Sequence, residues 1–182
     1  MSLPALETRR FHLRPLVEQD EALYVSIYTN EALMRFVGEP MAHEDAVRAF
    51  NAFLHSNQRG DLQRACCWVV DHGAEAQETV GLLAVIPHPD AAEIGVMVTE
   101  AWQGRKVAQE VIGFLSGYLF QYGGWLRTFS RHVRENEAGA GVMRRLGFRE
   151  MALVPGGARF RGWEMVRDEW KERHSVVPPA MK

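Results

Sequence analysis

Apolar positions along this chain follow two periods, and the changes between them mark out most of the elements. Leu6 to Pro15 alternates, with Arg10, His12 and Arg14 set against Phe11 and Leu13. A period of two predicts a strand. Glu18 to Asn30 carries Ala22, Leu23, Ile27 and Tyr28 at helical spacing, and Glu31 to Phe36 continues as a short helix or turn until Gly38-Glu39-Pro40 breaks it. From His43 to Gln58 the stripe of Ala46, Val47, Phe50, Phe53 and Leu54 predicts a clearer helix, ended by Arg59-Gly60-Asp61. Ala65 to Asp71 and Thr79 to Ile86 read as two strands joined by a polar turn, a hairpin. Pro87-His88-Pro89-Asp90 makes a second turn, and Ala92 to Thr99 is the next strand.

After Gln103 the period becomes 3.6. Val107, Val111, Leu115, Tyr118, Leu119 and Tyr122 fall on one face of a helix of about five turns, and Gly123-Gly124 closes it. Leu126 to Val133 is a strand, Ala138 to Leu146 a short helix capped by Gly147, and Phe148 to Val154 with Arg159 to Arg167 a last strand pair. The chain shows no linker and no repeat, so residues 1–172 read as one domain and residues 173–182, with Pro178-Pro179, as a frayed tail. Hairpins followed by a strand–helix–strand unit predict an α/β (α+β) fold. Its centre is a mixed, mostly antiparallel sheet of about seven strands with helices on both faces.

Composition narrows the classes of function. The 182 residues are 47% hydrophobic and 24% charged with a formal net charge of −2, ordinary values for a soluble domain with a real core. Neither a basic nucleic-acid binder nor a membrane span is indicated. The two cysteines, Cys66 and Cys67, are adjacent and would point to opposite faces of a strand. No disulfide framework is expected, which places the chain in a reducing cytoplasm. The seven histidines lack metal-ligand spacing, so no metal is expected.

The candidate chemistry sits where the strand ending at Val98 leads into the long helix. Gln103, Gly104, Arg105 and Lys106 occupy that junction. A helix N-terminus offers unpaired N–H groups and partial positive charge, a ready anion site. Two cations there oppose the helix dipole by roughly 0.3–1 kcal/mol each, which a bound anion would explain. A solvated surface turn explains the composition equally well.

The stretch Gln103, Gly104, Arg105, Lys106, Val107, Ala108 resembles the pyrophosphate loop of the GNAT superfamily of acyl-CoA-dependent N-acetyltransferases, [RQ]-x-x-G-x-[GA]. Other segments agree in order. LETRRFHLRPL is similar to the opening strand of the Rim-type branch, the relatives of ribosomal-protein N-acetyltransferases. EIGVMV resembles the fourth strand, VRENEAGAGVMRRLGFRE the closing strand-and-helix motif, and MVRDEWKER the last strand. The resemblance implies a GNAT-like fold with a splay between strands 4 and 5. It implies acetyl-CoA as co-substrate and a primary amine, on a protein N-terminus or a small molecule, as acceptor. It allows a homodimer. The alternative is a catalytically silent acyl-CoA-binding or interaction protein on the same fold.

Residue by residue, the resemblance implies that backbone groups of Val96, Met97 and Val98 pair with the pantetheine arm. Backbone N–H groups from Gly104 to Gln109 would hold the pyrophosphate, and Asn136 would bond the pantetheine or reach the thioester. Val98 N–H would stabilise the oxyanion, and Glu93 would be the general base, against a plain reading as a solvent-facing strand glutamate. Three departures stand out. Arg131 occupies the alternative base position, Gly139 and Met143 stand where a Ser and a Tyr usually protonate the leaving thiolate, and Lys106 replaces the motif glycine. Ser116, Tyr118 and Tyr122 are substitute acids. Lys106 has three readings: a helical residue whose N–H alone matters, a phosphate contact, or a crowding side chain. The first two are expected. Met34, Phe36, Phe50, Phe53, Phe160 and Trp163 are candidate walls of the acceptor site.

Overall fold

The computed structural model describes residues 2–73 and 78–174. The strands are β1 (Leu6–Glu7), β2 (Phe11–Pro15), β3 (Cys66–His72), β4 (Glu78–Pro87), β5 (Ala92–Val98), β6 (Arg127–Val133), β7 (Arg149–Glu150) and β8 (Phe160–Val166). The helices are α1 (Glu21–Tyr28), α2 (Glu31–Met34), α3 (His43–Asn57), α4 (Val107–Tyr122), α5 (Glu137–Leu146) and α6 (Arg167–Arg173). All eight strands join one sheet in the order β1-β2-β3-β4-β5-β6-β8-β7. Every pairing is antiparallel except β5 with β6.

Strand alternation divides the core in two. Cys66, Trp68 and Val70 of β3, with Ala92 and Ile94 of β5, meet Val107, Val111, Ile112, Leu115 and Leu119 of α4 and Met143 of α5. Cys67 and Val69 of β3, with Leu82 of β4 and Met97 of β5, meet Tyr24, Ile27, Met34 and Phe50 on the opposite face. The adjacent cysteines do point to opposite faces, because successive Cβ atoms in a strand alternate. Both are buried and unbridged. Burial raises both thiols, Cys66 to about 12, so neither is a ready nucleophile. A fully buried side chain such as Leu83 or Ile94 contributes about 1.5–3 kcal/mol.

Four expectations change. The sheet has eight strands rather than about seven, because a turn at residues 8–10 splits the first strand; Thr8 N–H donates to Phe11 O at 2.9 Å across it. The predicted strand from Phe148 to Val154 shrinks to Arg149–Glu150. The expected strand through Arg167 stops at Val166, and Arg167–Arg173 is helical, with Trp170 seated on Gly117 of α4. Arg173 therefore belongs to α6 rather than to a tail; residues 175–182, like the tip of the β3–β4 turn at 74–77, lie outside the described residues. No helix among the described residues is long and apolar enough to cross a membrane.

Candidate active site

The parallel pair β5–β6 makes only two register partners, Ala92↔Thr128 and Glu93↔Phe129. Beyond them β5 runs on to Val98 and β6 to Val133 without pairing with each other, so the strands diverge into a wedge-shaped gap. The register of β4–β5 decides which groups face that gap. Thr99 N–H donates to Val80 O at 2.9 Å, which makes Gly81↔Val98 a non-hydrogen-bonded pair. By alternation the N–H and C=O of Met97 belong to the β4 ladder, while those of Val96 and Val98 face the gap. The expectation for Met97 is corrected accordingly: its backbone groups are taken, and its side chain packs in the α1–α3 core. Gln103 Nε2 donates to Val98 O at 3.2 Å, leaving Val98 N–H as that residue's open group.

The gap leads to the start of α4. Glu110 N–H donates to Lys106 O at 3.2 Å, the first bond of the helix. The N–H groups of Lys106, Val107, Ala108 and Gln109 therefore have no partner one turn back. Gly104 sits at φ 74° and Lys106, the N-cap, at φ 61° and ψ 20°. Four unpaired donors behind a glycine turn fit a pyrophosphate. Lys106 is the one non-glycine residue at positive φ among the described residues, which costs roughly 1–2 kcal/mol. This corrects the helical reading of Lys106: the position lies outside the helix, where glycine, not lysine, is the easier residue. Arg105 is exposed with its guanidinium 5.0 Å above the Trp102 ring. A cavity of about 430 Å³ opens beside the loop, lined by Arg9, Arg10, Lys106, Gln109, Glu110 and Leu146. A larger one of about 670 Å³ lies at the C-terminal end of α3 against Pro87, with none of the predicted site residues in its walls.

Glu93 is 7% exposed, so it is not a solvent-facing glutamate. Its Oε1 accepts from Arg131 Nε at 2.8 Å and its Oε2 meets His88 Nε2 at 2.9 Å. Arg131 also donates to Pro155 O at 2.8 Å and lies over the Phe160 ring. The residue that cannot be a base thus orients the one that can. His88 was not legible as a site residue, because its turn gives no periodic signal; the hairpin brings it back over Glu93 and onto Phe129, ring centroids 4.9 Å apart.

Asn136 caps α5: its Oδ1 accepts from Gly139 N–H at 2.8 Å, and Nδ2 remains as a donor. A Cβ on Gly139 would lie 2.8 Å from Asn136 Nδ2 and 3.1 Å from His132 Cδ2. A serine at 139 would therefore crowd the Asn136 cap and the His132 ring. Ser116 donates to Ile112 O inside α4 and is buried, which removes it as an acid. Met143 is buried core.

His132 itself is held neutral. Trp163 Nε1–H can only donate, at 3.0 Å to His132 Nε2, so Nδ1 carries the proton and donates to Val133 O at 2.8 Å. Burial lowers its pKa, and the Val133 carbonyl opposes this incompletely. The unfolded chain then binds a proton that the folded protein resists, so stability falls as pH drops through the unfolded histidine value of about 6.5 and below. His132→Gln flattens the stability curve between about pH 7 and about pH 5, measured by urea denaturation across that range.

Of the expected acceptor walls, Met34, Phe50 and Trp163 are core residues at 4%, 1% and 3% exposure. Phe36 and Phe160 are half-buried near β6: Val133 N–H donates to Phe36 O at 3.0 Å, and Phe160 carries Arg131. Phe53 packs against the α1–α3 core. Glu39 and Arg159 pair across from the α2–α3 loop to the β7–β8 loop. Among the described residues no group of three or more His, Cys, Asp or Glu side chains is placed to hold a metal.

Known proteins share this fold. Residues 10–149 match the family described as Acetyltransferase (GNAT) domain. An uncharacterized N-acetyltransferase, YoaA, of Bacillus subtilis (strain 168) is 28% identical over 156 residues, covering 83% of this chain and 86% of that protein. The acetyltransferase of Agrobacterium tumefaciens str. C58 superposes with a TM-score of 0.79 at 23% identity, over 91% of this chain and 95% of its own. RimL, a ribosomal L7/L12 alpha-N-protein acetyltransferase in complex with coenzyme A, superposes with a TM-score of 0.71 at 20% identity, over 90% and 98%. The two structures share the fold, while the family match takes in most of the chain, including the splayed strands and the loop before α4. This protein therefore belongs to the GNAT acetyltransferases and is an acetyl-CoA-dependent N-acetyltransferase.

Proposed function

We propose that this enzyme moves the acetyl group of acetyl-CoA to a primary amine, on a protein N-terminus or a small molecule, by direct attack on the thioester. We place it with the Rim-type branch. The observation that carries the reading is the gap that opens beyond Glu93 and Phe129 and runs to the four unpaired N–H groups at the start of α4. In this reading Val96 and Val98 pair with pantetheine and Asn136 Nδ2 adds a donor. Gly104, Arg105, Lys106, Val107, Ala108 and Gln109 supply the pyrophosphate cradle, with Gln103 steadying the loop through Val98 O.

Free amines are mostly protonated at neutral pH, with pKa values of about 7.7–8.0 for α-amines and about 10.4 for lysine-like ones. Glu93, five residues from Val98 along β5, accepts that proton through bridging water, and His88 connects it towards solvent. The tetrahedral oxyanion forms at Val98 N–H, a donor worth about 2.7–4 kcal/mol. No side chain at 139 or 143 protonates the sulfur; a thiolate whose acid has a pKa of about 8.5 leaves readily and takes its proton from water. Around the β7–β8 loop Arg131, Arg134, Arg159 and Arg161 are matched by Glu39, Glu93, Glu137 and Glu150. That balance leaves no surplus of carboxylates to gather a polycation, which favours a monoamine or peptide N-terminus.

The test is calorimetric titration with acetyl-CoA, then thiol release with peptides bearing free N-termini, monoamines and spermine. Binding in the micromolar range and turnover of a peptide or monoamine ahead of spermine are expected. No binding at millimolar acetyl-CoA would sink the reading, and tight binding with no acceptor turned over would support a silent acyl-CoA-binding protein.

A further inference from the structure

The loop before α4 is fastened to the N-terminal hairpin by one ion pair. Arg10 Nε donates to Glu110 Oε2 at 2.7 Å, and Arg10 Nη1 donates to Arg105 O at 3.1 Å. Glu110 Oε1 accepts from Thr8 Oγ1 and from Arg10 N–H, both at 2.8 Å. Burial opposes the charge on Glu110, but the bonds from Arg10 and Thr8 prevail and hold its carboxyl below the usual carboxylate range.

The carbonyl of Arg105 belongs to the peptide plane between Arg105 and Lys106. Rotation of that plane sets φ of Lys106, the residue held in the left-handed region. A trans peptide points its N–H opposite to its C=O, so fixing Arg105 O also fixes the direction of Lys106 N–H. Glu110 closes the other side, since its own N–H bonds Lys106 O. The brace thus grips both peptide planes flanking the strained residue. It also neutralises a first-turn carboxylate that would otherwise repel a phosphate.

We propose that Arg10 and Glu110 are positioning residues for the phosphate loop, holding the Arg105–Lys106 peptide in the left-handed turn that a glycine would adopt unaided, and thereby setting the affinity for acetyl-CoA. This rests on reading residues 103–108 as the pyrophosphate cradle. Lysine is tolerated at 106 because the hairpin, 95 residues away in sequence at the Arg10–Arg105 contact, supplies the constraint that the backbone of lysine does not.

The experiment is a double-mutant cycle read by calorimetry with acetyl-CoA. Replacing the pair together, Arg10→Leu with Glu110→Leu, leaves the local net charge unchanged and removes the bond to Arg105 O. Binding weakens fivefold or more in the wild-type background. With Lys106→Gly added, the loss is at least threefold smaller, because glycine needs no brace. A loss below fivefold, or a loss of the same size in both backgrounds, overturns the proposal, since a merely structural pair would not couple to residue 106. If the double variant does not fold, Arg10→Lys serves. It keeps the charge beside Glu110 but lacks the planar fork that spans Glu110 and Arg105, and the same fivefold and threefold limits decide. Absence of any acetyl-CoA binding by the wild-type protein would defeat the cradle reading itself, a result distinct from either outcome of the cycle.

Discussion

Glu93→Gln lowers kcat for acetyl transfer by about 100- to 1,000-fold, within the range that a positioned general base contributes, while acetyl-CoA affinity stays within about twofold of wild type. The geometry sets both expectations. Glu93 is buried on the strand face that carries Met97 and looks towards α1–α3, away from the α4 start where the phosphate donors lie. Glutamine keeps an oxygen for Arg131 Nε, so the ion-pair site retains a hydrogen bond and the sheet its packing. What it lacks is the capacity to take a proton. Thiol release with the best acceptor of the panel, alongside calorimetry, checks both halves. A kcat within threefold of wild type would show that Glu93 only orders Arg131 and His88. A parallel loss of cofactor binding would show that the wedge itself had collapsed.

Arg14→Met destabilises the fold by about 3–5 kcal/mol, the cost of leaving buried charge uncompensated. Arg14 joins three elements. Its Nε donates to Asp71 Oδ2 at 2.7 Å on β3, and Nη1 and Nη2 donate to the two oxygens of Asp20, at 2.7 and 2.8 Å, before α1. Asp71 is 1% exposed and Asp20 6%. Their remaining lone pairs accept from Thr79 Oγ1 and Val17 N–H. The guanidinium is locked in its charged form, chiefly by the bonds to Asp20 against the cost of burial. Methionine fills the volume but leaves two carboxylates with no cation. A domain of this size loses roughly 2–4 °C of melting temperature per kcal/mol, so a drop of roughly 6–20 °C in circular dichroism melts is expected. Adding Asp71→Asn to that variant recovers part of the loss, because it removes one of the stranded charges; a pair that made no difference to stability would leave both melts at the wild-type value.

Both residues sit in segments whose element type the pattern of the chain reveals and whose partners it does not. The Arg10–His12–Arg14 alternation predicts a strand, and the strand is there from Phe11 to Pro15. Nothing in that alternation says that Arg14 faces two aspartates 6 and 57 residues away. The same holds for Glu93. EIGVMV reads as a strand, and the glutamate reads equally as exposed or catalytic until the hairpin folds His88 back and β6 brings Arg131 alongside.

The elements that the sequence misplaces are the ones governed by contacts rather than by period. Arg167–Arg173 has the apolar spacing of neither a clear strand nor a clear helix; it is helical because Trp170 finds the surface of α4 left open by Gly117, where a Cβ would come within 2.5 Å of the indole. Phe148 to Val154 carries strand-like residues, but only Arg149 and Glu150 form the ladder with β8, and the Met151 N–H bond to Gly162 O of β8 is the last contact before the chain turns away.

What the sequence alone determined is the order of strands and helices as far as the last strand, the two-faced core, and the glycine-bearing loop before the long helix. Those follow from local physics: the side-chain period of each element, and the unpaired donors that any helix start exposes. Tertiary structure decided the rest. Whether Met97 or its neighbours face the gap depends on the register of β4 against β5, a one-residue matter that composition does not encode. The left-handed turn at Lys106 depends on a hairpin about a hundred residues away, and the tight space around Gly139 on the Asn136 cap and on His132 of β6. Each is a long-range contact, and such contacts are fixed by the packed chain rather than by any window of its residues.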